Sequence, residues 1–188
     1  MTALERRSVA SLATLYSFRM LGLFMVLPLL ALYATDMPGA SPQIIGLALG
    51  VYGLTQALLQ IPFGWLSDRI GRKPVIIGGL ILFALGSVVA ALADSAWGIV
   101  LGRTLQGAGA IASTLMALVA DLTRDEQRTK AMAMVGVSIG LSFAVALVLG
   151  PAVAGQWGLS GVFYLTAVLA LVGILIVIFR VPQPPLHA

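Results

Sequence analysis

Long apolar runs separated by short polar turns set the pattern of this chain. Six runs are long enough to count, at about 9–33, 43–66, 75–92, 97–120, 131–154 and 162–179. Crossing ~30 Å of hydrocarbon takes about 20 helical residues, so each run predicts a membrane-spanning helix. The first run follows Arg6 and Arg7, as a signal peptide would. It is too long for that role, has no small-residue cleavage site and precedes five more runs. The stretches 36–42, 93–95 and 155–161 read as turns at one side of the membrane.

The cations fix an expected orientation. Arg6, Arg7, Arg69, Arg72, Lys73, Arg124, Arg128, Lys130 and Arg180 fall at one set of ends, and the opposite turns hold no lysine or arginine. By the positive-inside rule both termini are expected in the cytoplasm, in a multi-pass protein of the inner membrane. Two cations remain, Arg19 and Arg103, and both lie inside runs. They also carry an internal echo. Arg19-Met-Leu-Gly resembles Arg103-Thr-Leu-Gln-Gly, each followed 17 or 18 residues later by an aspartate, Asp36 or Asp121. Pro62, late in the second run, matches Pro151, late in the fifth. The expected architecture is therefore all-α, a six-helix bundle of two three-helix repeats. Three is odd, so the repeats cross in opposite senses, as inverted repeats of transporters do.

Composition narrows the class. Soluble domains carry about 25% charged residues; this chain of 188 residues has 10%, with 60% hydrophobic residues and a mean hydropathy of +1.04. It has no polar exterior to offer water. The net charge of +4 follows from the cations at the helix ends and does not signal nucleic acid. No cysteine is present, so no disulfide framework or thiolate metal site is expected. The one histidine, His187, sits in the tail and reads as solvated. No metal or cofactor is expected.

The stretch Gly64-Trp-Leu-Ser-Asp68-Arg69-Ile-Gly71-Arg72-Lys73-Pro74 concentrates three cations and a carboxylate within six residues. Such a cluster cannot sit in hydrocarbon and marks a tight turn at the membrane surface. Its glycines let the backbone turn, and Pro74 suits the first turn of the next helix. A plain basic hairpin would satisfy composition alone. The full pattern, glycine, Asp-Arg, then Gly-Arg-Lys-Pro, resembles the loop between the second and third helices of the major facilitator superfamily. That resemblance implies a conformational latch made of Gly64, Asp68, Arg69, Gly71, Arg72, Lys73 and Asp121. In it Asp68 caps a helix N-terminus in the transporter's other half, and Arg69 or Arg72 reaches Asp121. The family has twelve spans in two bundles. This sequence matches the first bundle, residues 1–188, and stops where the central linker should start. The second bundle, or a second copy, is the expected partner. Within the family the chain resembles the YajR-like subgroup of drug exporters.

Other polar residues in the runs invite a cavity reading. Arg103, Gln106, Gly107, Ala110 and Thr114 share one helical face, and the arginine followed by Gln-Gly resembles the family's fourth-helix motif. Arg19 lies too deep for easy snorkelling. Tyr52, Gln56 and Gln60 form an i, i+4, i+8 stripe that either bonds neighbouring helices or offers amides to a ligand. Arg19, Tyr52, Gln56, Gln60, Arg103, Gln106 and Gly107 make up the expected substrate or proton pathway; the plainer alternative has Arg103 snorkelling or bonding backbone carbonyls and Arg19 in a structural ion pair. Phe18, Met20, Phe24 and Met25 read as packing or as an adaptable apolar pocket. Gly150, Pro151 and Gly155 resemble the Gly-Pro motif of drug exporters and predict a helix bend. Two of that motif's glycines stand here as Ala146 and Ala154.

All seven acids, Glu5, Asp36, Asp68, Asp94, Asp121, Asp125 and Glu126, fall at helix ends or in turns. No carboxylate lies at mid-membrane to carry a proton, so coupling resides in the other half, or Asp36 serves from the outer edge, or transport is not proton-driven; two intramembrane arginines favour an anionic or neutral ligand over a cation. The expected function is secondary transport of a small solute or drug by alternating access, as proton-coupled efflux. Uptake of a metabolite or anion by the same fold is the alternative. Outside that class stand a membrane assembly subunit, which would not explain the latch, and an enzyme, for which no convergent side chains are present.

Overall fold

The computed structural model describes residues 1–184, so His187 lies outside the described residues. Six α-helices follow in order: α1 (Ala3–Tyr33), α2 (Pro42–Ile70), α3 (Arg72–Ala91), α4 (Ala96–Ala108), α5 (Ala112–Asp121) and α6 (Asp125–Arg180). A 3-10 turn, Ala34–Asp36, extends α1. Local chemistry sets the starts. The Thr2 hydroxyl accepts from the Glu5 amide at 3.1 Å, while Glu5 accepts from the Thr2 amide at 2.5 Å; this capping box begins α1. The Ser41 and Ser95 side chains cap α2 and α4, and Pro42 occupies the first position of α2. Gly71, at φ 100°, makes the one-residue turn between α2 and α3.

Among the described residues four helices are long and apolar enough to cross a membrane: α1 with its extension, α2, α3 and α6. The expected fourth run does not form one helix. It divides into α4 and α5, of 13 and 10 residues, around Gly109 at φ −77°, ψ 51°. The break coincides with close packing: a Cβ on Gly109 would collide with the Gly79 carbonyl of α3. The expected fifth and sixth runs are merged into α6, 56 residues long, interrupted only at Gly158 (φ 68°, ψ −168°). That left-handed value suits glycine alone, so the turn expected over 155–161 contracts to a single residue. Pro151 lies inside the helix, and the dihedral break falls seven residues after it.

Packing shows where the chain goes. Ala131 and Val135, near the start of α6, share an apolar cluster with Val177 and Val181 at its finish. Ala146, Val153, Leu159 and Phe163 belong to a second cluster with Leu30 and Ala91. The chain therefore runs from one end of the bundle to the other, reverses at Gly158 and returns. α1 packs mainly on α6, and α4 packs on α2 and α3. Exchanging the two halves of the chain maps one of these relations onto the other. α2 is the outlier, burying only Ala48, Tyr52 and Ser67.

Candidate functional site

Between the two large apolar clusters lies a thin layer whose apolar members are Tyr52, Phe83, Ala84 and Ala170. Both intramembrane arginines fall in it. Arg19 of α1 is 2% exposed and Arg103 of α4 is 1% exposed. Arg19 donates from Nη2 to the Tyr52 hydroxyl at 3.2 Å and lies 5.1 Å from the Phe83 ring centre. Arg103 stands 4.6 Å from the Tyr52 ring centre, a cation–π distance. Its Nε donates to the Ala48 carbonyl at 3.1 Å and its Nη1 to Gln106 Oε1 at 3.0 Å. Gln106 in turn donates to Ser87 Oγ at 2.8 Å, and Ser87 donates to the Phe83 carbonyl at 2.8 Å. Tyr52 thus holds one arginine by its hydroxyl and the other by its ring. Gly107 makes this possible. A Cβ there would strike the Tyr52 backbone, so only glycine lets α4 come this close to α2.

The network is incomplete. Arg19 Nε and Nη1, Arg103 Nη2 and Gln56 Oε1 are buried with no hydrogen-bond partner. Neither arginine takes part in an ion pair among the described residues. On the other side of Tyr52 a groove of about 390 Å³ is lined by Tyr52, Gly53, Gln56, Ala57, Gln60 and Ile61. The stripe expected from the sequence therefore splits. Tyr52 is buried against the arginines, while Gln56 and Gln60 are half-buried along the groove.

A second polar assembly closes the end of the bundle where α1 begins and α6 finishes. Arg72 Nε bonds Asp121 at 3.1 Å, its Nη1 reaches Ser67 Oγ at 2.7 Å, and the same atom pairs with Asp68 at 2.5 Å. Of the two arginines expected to reach Asp121, Arg72 does so; Arg69 lies over the Trp65 ring at 3.8 Å instead. The reason is position. Arg69 ends α2 one turn after Trp65, whereas Arg72 follows the Gly71 turn and points back across α5. Lys73 donates to the Val181 carbonyl at 2.6 Å, tying α3 to the end of α6. Asp68 itself is 61% exposed on its side chain. A Cβ on Gly64 would sit in ordinary contact with Ser113 of α5.

One contact at this end carried no sequence signal beyond the capping box. Glu5 accepts from Arg124 Nε at 3.0 Å and from the Arg124 amide at 3.1 Å. The Arg124 side chain, the Thr2 amide and the Arg124 amide together pull the Glu5 carboxyl from 4.5 to about 2. The Met1 ammonium adds a bond to Gln127 Oε1 at 3.2 Å. The remaining expected residues fall elsewhere. Gly150 packs on Met25 and Leu29, whereas Gly155 and Pro151 face outward. Phe24 meets Phe143 edge-on at 5.3 Å, and Met25 is fully buried, so both serve packing.

Comparison with known proteins places these assemblies in a family. The model of the Major Facilitator Superfamily matches residues 12–188. The chain is 58% identical over 187 residues to the inner membrane transport protein YajR of Escherichia coli K12, covering all of this chain and 41% of that protein. It is 33% identical over 135 residues to the class B tetracycline resistance protein of Escherichia coli, covering 71% of this chain and 33% of that protein. The chain thus spans less than half the length of these relatives. Among solved structures, a bacterial homologue of the lysosomal transporter Spinster superposes with a TM-score of 0.85 at 18% identity, over all of this chain and 45% of that one.

Proposed function

The chain belongs to the major facilitator superfamily, and from that premise we propose that it forms the N-terminal half of a secondary transporter that works by alternating access. The superfamily is one of transporters, not enzymes, and the likeness to an inner membrane transport protein covers the whole chain. In this reading α4 and α5 together make one crossing and the two limbs of α6 make two, for six in all. The reversal at Gly158 and the return of α6 to its starting cluster support that count. The two three-helix repeats are inverted. Both termini face the cytoplasm, because the nine cations outside the runs lie at the terminal end.

The hairpin at 64–74 is the cytoplasmic clasp. Arg72 spans Asp68, Ser67 and Asp121, so α2, α3 and α5 are held at one point. The mostly exposed Asp68 carboxylate is free to meet a helix N-terminus of the absent half. The tyrosine-centred arginine layer, with Gln56, Gln60, Gln106 and Gly107, is the substrate pathway, and Gly150, Pro151 and Gly155 form a bending element near the outer end. The direction is efflux of a small solute or drug, supported by likeness to a tetracycline resistance protein. Coupling is to protons taken up in the other half, since none of the seven acids here is buried in the middle layer. Uptake of an anion by the same fold is the second reading, favoured by the uncompensated arginines.

The observation that carries the reading is the Arg72 hub at the hairpin. Its test is solute flux by the full-length transporter in proteoliposomes, with and without an imposed pH gradient. Flux that responds to the gradient and collapses in Asp68→Asn supports it. Wild-type flux in that variant removes the clasp.

A further inference from the structure

We propose that Arg19 and Arg103 form the seat of an anionic substrate that also carries a hydrogen-bond donor, and that Tyr52 is the partition through which it enters. This rests on the transporter reading and names the substrate class of that site. Two guanidinium groups are buried around a single ring, and three of their nitrogens have no partner. A buried cation needs a counter-charge or a full set of acceptors. The described residues supply neither: the layer contains no carboxylate, and its acceptors are the Tyr52 hydroxyl, Gln106 and the Ala48 carbonyl. A carboxylate, sulfonate or phosphate fits a guanidinium fork, with two parallel bonds to one group. A cation is repelled by both arginines, and a neutral ligand leaves their charge uncompensated.

Access and the second half of the recognition come from α2. Tyr52 bonds the arginines on one side and walls the groove of about 390 Å³ on the other. A turn of its side chain joins the groove to the seat. One helical turn along, Gln56 Oε1 is buried and unpartnered at the groove wall. With its amide in this orientation Gln56 accepts there, which favours a ligand bearing an O–H or N–H beyond its anionic group.

Binding of matched probes to the purified full-length transporter tests this. The probes are 4-hydroxybenzoate, 4-hydroxybenzamide, 4-hydroxybenzylamine and benzoate, measured by calorimetry. The hydroxybenzoate is expected to bind about tenfold or more tightly than the amide, with benzoate weaker and the amine undetected. Arg19→Gln and Arg103→Gln should each lose about tenfold in affinity for the acid, with Lys at either position recovering part of it. Gln56→Leu should bring 4-hydroxybenzoate down to the level of benzoate. Equal binding of amine or amide, no binding of the acid, or glutamine variants that bind it unchanged would overturn the proposal. Where those variants do not fold, the ranking of the four probes on the wild type decides. A transported cation would sink the anionic seat and leave the transporter standing. A hairpin whose accessibility to a thiol reagent, at a single introduced cysteine, never alternates would sink the transporter itself.

Discussion

Adding one methyl group at two positions of α3 separates packing from propensity. A Cβ on Gly86 would lie 2.5 Å from the Gln106 amide nitrogen and 2.6 Å from the Gly102 carbonyl. Both atoms are backbone of α4 and cannot rotate away. Restoring an ordinary contact of roughly 3.5 Å needs about 1 Å of separation between the helices. That displacement would stretch the 2.8 Å bond from Gln106 to Ser87 beyond hydrogen-bond range. Overpacking of this kind costs about 1–3 kcal/mol, against a helix-propensity gain of up to about 1 kcal/mol for Gly→Ala. Gly78, two turns earlier, is exposed and has nothing within 4 Å of its Cβ position, so there only the gain applies. Thermal unfolding of the detergent-solubilised full-length protein should therefore show Gly86→Ala melting below the wild type and Gly78→Ala at or above it. Equal melting temperatures for the two variants would refute the close approach of α3 and α4.

Three further tests address the terminal end of the bundle. The Glu5 carboxyl titrates near 2 when folded and near 4.5 when unpaired, so its stabilisation is complete above pH 4.5 and is lost as pH falls toward 2. The melting-temperature gap between wild type and Glu5→Gln should hold steady from pH 7 to 5 and close below that; a gap unchanged at pH 3 would contradict the clamp on Arg124. Asp121→Asn removes the charge that Arg72 Nε meets at 3.1 Å; cysteine labelling in vesicles should find the hairpin region more accessible, and unaltered labelling would detach Asp121 from the clasp. Asp68→Asn should abolish transport while leaving expression at the wild-type level, as read by flux together with immunoblot.

The apolar runs, the polar hairpin and the oddity of two buried arginines were legible in the sequence because each is a local departure from its surroundings. What the sequence did not carry is which neighbour a side chain meets. Ser87 and Phe83 look like ordinary residues of an apolar helix, yet they complete the chain of bonds from Arg103 through Gln106. Only the adjacent Gly86 hints that another backbone passes nearby. The division of the fourth run at Gly109 was hidden for the same reason. Hydropathy is continuous across 97–120, and the break falls where Gly109 comes against Gly79 on another helix. The Glu5–Arg124 pair joins residues 119 apart and leaves no periodic trace.

If the proposed transporter binds a ligand in the arginine layer, the layer's asymmetry couples that ligand to the hairpin. The internal echo pairs Arg19 with Arg103, and under the proposed division into two three-helix units an exchange would send one toward α2 and the other toward the first limb of α6. Instead both turn to Tyr52 of α2. That helix buries only three residues, while Leu54, Leu58, Ile61 and Trp65 are more than half exposed. Its seat is therefore held from one side by two cations and from the other by whatever covers that exposed face. Neutralising the cations with a bound anion removes their mutual repulsion and tightens the layer around Tyr52. Because α2 runs on from Tyr52 past Pro62 into Ser67 and Asp68, which share Arg72, a change in how firmly Tyr52 is held reaches the proposed clasp along one continuous helix. Two sites that bias one element in this way are coupled without any wire of intervening side chains.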